Sequence, residues 1–427
     1  MKALLIVLDG VADRSQGALG GKTPLQAAET PNLDRLAGAG ACGHMYPLTP
    51  GACPSSDQAH WRILGYGGVP YPGRATLEAL GAGVTLADGD VAISVNMATT
   101  VLDGNERYVQ AAPAYLPEEE ATRVAASLAE YEPEFFDTRL HHLGGPFMLL
   151  VLSGGASPLI TDSDPLFYRL PVNPIVGFEG APEAAGKTAS EISRFSSWAA
   201  ELFESHPVNV TRAGEAMTVV NYMLSKWPGV HGDLPSFESR WGFKAVASTS
   251  GLLYAGLAKA MGMELLQSAA QDVEEDLRQK LEAAHQALGG GFDFAFVHTK
   301  AADEASHTGR PRRKVRAIEE LDRALETAAS YAREADLVTV ITADHATPSG
   351  GAGEVIHSGE SVPVVIAGRN ARVDAVESFD EVSCAVGSLG LISGADIMPL
   401  VLNFTDRARF GTSRPRARDI PYRPDPS

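Results

Sequence analysis

Residues able to bind a metal ion or act as a nucleophile occur in five short stretches of the 427-residue chain. In Lys300-Ala-Ala-Asp-Glu-Ala-Ser-His-Thr-Gly309, Asp303 and His307 are four residues apart. On a helical turn they share one face and can grip one cation, although an ordinary solvated helix start uses the same residues. Thr342-Ala-Asp-His-Ala-Thr-Pro348 sets Asp344 and His345 side by side after an apolar run; a capping Asp with a chance neighbour is the simpler alternative. His357, in Ile356-His-Ser-Gly-Glu360, is by itself an ordinary loop histidine. Asp9-Gly10 reads either as a turn pair or as a carboxylate ligand beside a glycine that permits close backbone approach. In Pro54-Ser-Ser-Asp-Gln-Ala-His60, Ser55 or Ser56 can cap a helix, or present a hydroxyl where the helix amides favour a phosphoryl group. Cys53 beside them has no recognisable Cys/His arrangement.

Together these stretches supply carboxylate and imidazole donors and a serine. Such a donor set suits Mn²⁺, Mg²⁺ or Zn²⁺, and a two-metal site can activate an alkoxide while clamping a phosphoryl oxygen.

The surrounding elements must converge them. Ala3–Leu8, Phe292–Val297 and Asp336–Thr342 read as buried parallel strands. Val362–Ile366 contains Pro363, which places it near a sheet edge. Val273 to Leu288 repeats apolar Val273, Leu277, Leu281, Ala284 and Leu288 at helical spacing, and Val315 to Ala335 does so through Ile318, Leu321 and Leu325. Alternation of strands and helices predicts an α/β sheet with helices on both faces. Functional residues collect at the carboxyl ends of such strands. Asp9, the stretch His298 to Asp303, and Asp344-His345 each follow one. Residues 88–234 are less regular and read as a smaller α+β domain inserted into a discontinuous core of 1–87 and 235–411, with 412–427 as a tail.

Hydrophobic residues make up 44% and charged residues 21%, which excludes wholesale disorder. Asp and Glu outnumber Lys and Arg 53 to 35, and the net charge of −18 disfavours nucleic acid and anionic membranes. A small phosphorylated partner remains compatible, because metal ions or a few arginines reverse the local field. Three cysteines, Cys42, Cys53 and Cys384, do not make a disulfide framework and fit a reducing compartment. The apolar run Ala3–Leu8 is too short for a signal peptide or a bilayer span. A cytoplasmic monomer or homo-oligomer is expected.

Val7-Leu-Asp-Gly10, Lys22-Thr-Pro-Leu25, Thr30-Pro-Asn-Leu-Asp-Arg-Leu36, Ser56-Asp-Gln-Ala-His60, Arg74 with Leu77-Glu-Ala-Leu-Gly-Ala-Gly83, Lys300 to Gly309, Ala343-Asp-His345, His357-Ser-Gly359 and Asp396-Ile-Met-Pro-Leu400 follow in that order. With them the chain resembles the archaeal-type cofactor-independent phosphoglycerate mutases of the alkaline phosphatase superfamily, from Met1 to about Gly411. The resemblance implies an alkaline-phosphatase-like sheet and an isomerase with two divalent metal ions. It implies that Asp9, Ser56, Asp344 and His345 surround one ion and that Asp303, His307 and His357 hold the other. It also implies that Ser56 is the nucleophile, forming a phosphoserine intermediate, with Lys300 holding phosphate oxygens.

One departure concerns the substrate. The family carries an Arg-Arg-Ala-Gly-Arg run shortly after its Asn-x-Ala-Thr segment. Here Asn96-Met-Ala-Thr99 leads to Asn105-Glu-Arg-Tyr-Val-Gln-Ala-Ala-Pro113, with Arg107 alone, and the glycine-rich stretch expected after Met263 reads Gln267-Ser-Ala-Ala-Gln-Asp272. A guanidinium fork is the natural grip for a carboxylate, so the substrate need not be 3-phosphoglycerate. Substrate contacts are expected among Asp57, His60, Arg74, Asn96, Arg107, Arg240 and Arg310. Alternatives are a phosphatase or a kinase-like phosphotransferase on a small alcohol, amino acid or phosphonate metabolite, and a non-catalytic, degenerate homologue.

Overall fold

A computed structural model describes residues 1–268, 270–332, 334, 336–350 and 355–408. The expected tail at 412–427 lies outside these residues. The chain divides into two compact units, Met1–Tyr71 with Leu234–Ser427, and Pro72–Asp233. Strands are numbered along the chain.

The larger unit contains β1 (Lys2–Leu8), β2 (Gly40–Tyr46), β8 (Ala245–Ser248), β9 (Glu264–Leu265), β10 (Phe294–Thr299), β11 (Leu337–Thr342), β12 (Val362–Gly368) and β13 (Gly390–Ser393). They form one sheet in the order β13-β2-β12-β11-β1-β10-β8-β9. The centre is parallel: β1 runs between β10 and β11, all three buried along nearly their whole length, as continuous apolar runs require. Register pairs Leu8 with Thr299 and Val7 with Thr342, so the three chains leave the sheet side by side and their next residues meet.

The sequence placed Val362–Ile366 near an edge, but β12 is interior, antiparallel to both β11 and β2. Its proline is tolerated because the β11 ladder stops with Thr342 opposite Val364, one residue short of Pro363. Helix Val273–Gly289 buries Leu277, Leu281, Ala284 and Leu288 as expected, capped by Asp272, whose side chain accepts from the Glu275 amide. The second expected helix is divided, Pro311–Ala324 and Glu326–Tyr331, at Leu325, where ψ is −6°. Leu325 and Ala328 remain buried, so the apolar period runs across the break. Ala335 lies outside the described residues.

The smaller unit is an antiparallel sheet of β3 (Val91–Asp103), β4 (Glu106–Ala111), β5 (Asp137–Gly144), β6 (Phe147–Ser153) and β7 (Tyr222–Val230). One face packs Ile93, Val95 and Leu150 with Ile192, Phe195 and Phe203 of helix Glu183–Ser205. Each such side chain contributes about 1.5–3 kcal/mol through burial. The other face packs Ala92, Leu149 and Val151 with Ala75 and Ala79 of helix Arg74–Gly81. That packing sets the first division at Tyr71/Pro72 rather than at the expected 87/88. The approach is close: a Cβ on Gly73, at φ +89°, would lie 2.3 Å from the Gly229 Cα.

Candidate metal centre

The strand ends of the larger unit bring the predicted donors together. Asp9 follows β1, Lys300 and helix Ala301–Ser306 follow β10, and Asp344 and His345 follow β11. Asp9, Asp344 and His345 are fully buried. His345 Nε2 lies 2.9 Å from Ser56 Oγ, 3.2 Å from Asp344 Oδ2 and 3.4 Å from Asp9 Oδ1. Beside this group, Asp303 Oδ1 is 3.2 Å from His307 Nε2 and 3.7 Å from His357 Nε2. Donor atoms of Asp303, His307 and His357 fall within 4.8 Å of one another, as do those of Asp9, Asp303 and His345. Asp303 is therefore within reach of both groups.

The local sequence explains the convergence. Gly10 adopts φ +63°, and a Cβ there would sit 2.5 Å from Thr347 Oγ1 and 2.8 Å from Asp303 Oδ1, so only glycine lets these strand ends close up. Its amide donates to Asp344 Oδ1 at 3.1 Å. Helix Ser56–Ile63 starts at Ser56, and its N-cap, Ser55, makes no side-chain cap bond. The Ser56 hydroxyl turns instead to His345, and its backbone carbonyl accepts from His60 Nδ1 at 2.7 Å.

Hydrogen bonds fix the His345 and His357 imidazoles with their Nε2 atoms facing inward. His345 Nδ1 lies 3.0 Å from Thr347 Oγ1, which itself donates to Asp303 Oδ1 at 2.9 Å. His357 Nδ1 lies 3.0 Å from the Pro54 carbonyl, which accepts its hydrogen bond, and the His357 ring stacks on His345 at 3.6 Å. This is the supporting arrangement that metal-binding histidines use. Burial lowers the pKa of His345, and that of His60, to about 3, so both rings are neutral at pH 7. Asp344 is pushed well above the usual carboxylate range by burial and then by the charges of Asp9 and Asp303. Burial also opposes ionisation of Asp303, but the His307 hydrogen bond and neighbouring imidazoles outweigh it and pull its pKa down. Asp9 Oδ1 and Asp344 Oδ2 are buried with no hydrogen-bond partner. Clustered carboxylates, neutral imidazoles and orphaned oxygens are what a divalent cation would satisfy, so the residues fit metal binding.

The remaining predicted residues separate. Lys300 adjoins the centre: burial above all lowers the pKa of His298, with the charges of Lys280 and then Lys300 adding to it, while the Asp303 hydrogen bond raises that of His307 against burial and, last, the Lys300 charge. Asp57 and His60 lie in the serine helix; Asp57 accepts from the Tyr71 hydroxyl through Oδ2, and its buried Oδ1 has no partner. Arg240 donates twice to the Gly65 carbonyl, at 2.9 and 2.6 Å, and lies over the Tyr66 and Trp241 rings. Arg310 lines a cavity behind helix Ala301–Ser306. Arg74, Asn96 and Arg107 belong to the smaller unit. There Arg74 pairs with Glu78 and stacks on Trp227, Asn96 lies buried in β3, and Arg107 donates to Thr100 Oγ1 and stacks on Tyr222.

Sequence reasoning missed Tyr254, the site role of His298, and Thr347. The Tyr254 hydroxyl donates to Asp9 Oδ2 at 2.6 Å, and His298 Nε2 lies 3.1 Å from the same oxygen. Their rings stack at 3.6 Å. Both donors occupy Oδ2 and leave Asp9 Oδ1 facing the centre. His298, at the end of a buried strand, carried a signal; Tyr254, within an apolar helix, did not.

A family model described as the metalloenzyme superfamily matches residues 1–404, so fold and site define an α/β metalloenzyme. The 2,3-bisphosphoglycerate-independent phosphoglycerate mutase of Methanopyrus kandleri is 37% identical over 418 residues, covering 96% of this chain and 98% of that protein. Phosphoglycerate mutase 2 of the same kind from Methanocaldococcus jannaschii is 34% identical over 417 residues, covering 96% and 94%. A solved structure of a Pyrococcus horikoshii protein is 31% identical with a TM-score of 0.80, covering 96% of this chain and 99% of that one. The cofactor-independent phosphoglycerate mutase of Thermoplasma acidophilum is 30% identical with a TM-score of 0.64, covering 95% and 100%. The chain belongs to the 2,3-bisphosphoglycerate-independent phosphoglycerate mutase family. It is an enzyme, and no helix among its described residues is long and apolar enough to cross a membrane.

Proposed function

We propose that this protein is a phosphomutase that moves a phosphoryl group between two hydroxyls of one small phosphorylated metabolite, with Ser56 as the carrier. The supporting observation is the meeting of Ser56 Oγ, His345 Nε2, Asp344 Oδ2 and Asp9 Oδ1 beside Asp303, His307 and His357. In this reading Asp9, Ser56, Asp344 and His345 hold one divalent cation, and Asp303, His307 and His357 hold a second. Bound cations would draw charge from the serine hydroxyl and from the phosphoryl oxygens.

The chain does the positioning. Residue 345 is a poor general base for Ser56, because an imidazole titrating near pH 3 lies far from the working pH; its role is that of ligand. Ser56 Oγ forms a bond to phosphorus as the substrate P–O bond breaks, the proton lost by the serine hydroxyl being balanced by the one the departing substrate oxygen takes up, and Lys300 holds a phosphoryl oxygen. The dephosphorylated product stays bound, and its other hydroxyl then attacks the phosphoserine, which releases Ser56. Such transfer depends on alignment and charge stabilisation.

The known relatives point to a phosphoglycerate. The engagement of Arg107 with Thr100 and Tyr222 favours a substrate gripped differently from 3-phosphoglycerate. Phosphorus NMR of the Mn²⁺-, Mg²⁺- or Zn²⁺-loaded protein with 3-phosphoglycerate and a panel of phosphorylated acids and phosphonates separates the outcomes. Isomerised product supports the mutase. Release of inorganic phosphate alone, or transfer only to an added alcohol or amino acid, would replace it with the phosphatase or phosphotransferase reading.

A further inference from the structure

Helix Pro311–Ala324 opens with a charge pattern that ordinary helix energetics oppose. Its N-cap is Arg310, its first turn holds Arg312 and Arg313 with no acidic residue, and Arg316 follows one turn on. Cations gathered at the positive end of a helix repel both the dipole and one another. Lys314, in the same stretch, is compensated by Asp13 and the Ala12 and Thr347 carbonyls. The four arginines, all solvent-exposed, have only water: among the described residues none has an ion pair or hydrogen bond from its guanidinium, although the protein carries 18 excess negative charges.

These arginines line one cavity of about 630 Å³ together with Val273, Ala301, Ala305 and Ala317. Glu304 and Glu320 are its two carboxylates, and neither lies within ion-pair distance of an arginine. At 100° per residue, Ala301, Glu304 and Ala305 project from their helix roughly 130° away from Asp303 and His307. The cavity therefore lies behind the helix that carries those two ligands.

We propose that this cavity is a second anion site, separate from the transferred phosphoryl group, that binds a small polyanion bearing phosphate or several carboxylates. Four guanidinium forks without a protein partner among the described residues provide bidentate grips for such groups, and the volume falls in the range of small-molecule sites, about 300–1,000 Å³. An extended nucleic acid would meet the repulsion of an acidic protein. An anion seated here neutralises the crowded arginines from the rear of the ligand helix.

The test is calorimetric titration of metal-free, full-length protein with pyrophosphate and, separately, with citrate. One binding event per chain is expected. The Arg312→Gln/Arg313→Gln/Arg316→Gln variant should weaken it by about tenfold or more, while Ser56→Ala/Asp303→Asn should leave it within about twofold, as expected for independent sites. Pyrophosphate alone binding indicates a phosphate ester as natural ligand; citrate binding as tightly indicates a polycarboxylate; either supports the site. The triple variant should also melt at a higher temperature than wild type without anion and lose the anion-induced rise. Should it fail to fold, single Arg316→Gln is titrated, with weakening again expected. Unchanged affinity in the arginine variants, loss of binding in Ser56→Ala/Asp303→Asn, no binding of either anion, or tighter binding of an oligonucleotide than of both would each overturn the proposal. None of these readouts depends on catalysis, so the mutase reading stands or falls separately.

Discussion

Both units of this protein bury charged side chains, and the strand-end cluster of the larger unit treats them in the opposite way from the smaller unit and from its own buried Lys314–Asp13 pair. In the smaller unit buried charge is matched within the chain: Lys226 Nζ meets Asp164 Oδ2 at 2.7 Å, Arg212 meets Glu120 at 2.7 Å, and Arg139 meets Asp90 at 2.7 Å. Asn96 joins this set when its amide oxygen faces Lys226 Nζ, 3.2 Å away. At the strand ends of the larger unit Asp9 and Asp344 lie completely buried with an unpartnered oxygen each, among imidazoles that carry no charge at neutral pH. Burial of an ionisable group is thus compatible with a structural role. Burial without compensation marks the place where something from outside the chain completes the charge balance.

The largest effect tests what the unbalanced region is for. Ser56→Ala should lower turnover by about 10⁴-fold or more, as loss of a nucleophile does, and intact-mass analysis should find no phosphoenzyme. A normal phosphoserine yield in that variant would remove Ser56 from the mechanism. Next, one kind of substitution should act with opposite sign in the two regions. Asp164→Asn strands Lys226 and should destabilise the protein by about 3 kcal/mol. Asp344→Asn removes a carboxylate that its neighbours disfavour, and should raise the melting temperature of metal-free protein while abolishing its Mn²⁺-induced rise. Equal signs in the two melting curves would erase the contrast. Tyr254→Phe, which deletes a hydrogen bond to Asp9, should weaken metal binding by about tenfold by calorimetry without changing the fold.

The smallest effect is acid sensitivity. Burial raises the pKa of Asp90, but the Ser153 hydroxyl, the Ala87 amide and Arg139 outweigh it and hold it below the usual range. Its contribution to stability is present above about pH 4, the unfolded-chain value, and is lost as pH falls through the depressed folded value. Asp90→Asn should therefore lower stability at pH 7 and flatten the loss of stability in acid, as chemical denaturation across pH would show.

Legibility from sequence followed the range of the interaction. β1, β10 and β11 were readable because strands buried on both faces must be continuously apolar, and their polar sequels Asp9, Lys300 and Asp344-His345 marked the site. Pro363 misled because its cost depends on where the neighbouring ladder ends, a matter of register. Leu325 misled because a one-residue break leaves the apolar period intact. From the local pattern alone Ser55 and Ser56 were equivalent candidates; the partner that sets Ser56 apart is His345, 289 positions away. Tyr254 reaches Asp9 across 245 positions from an otherwise apolar helix, and no local pattern announces such a partner.

Gly10 has a consequence of its own. A methyl group at this position would act as a wedge between the Asp9 turn, Asp303 and Thr347, without replacing any of the clustered donor side chains. Gly10→Ala would displace Asp303 and Thr347 together, so residue 10 is a steric veto point through which a single small substitution takes apart the whole donor cluster.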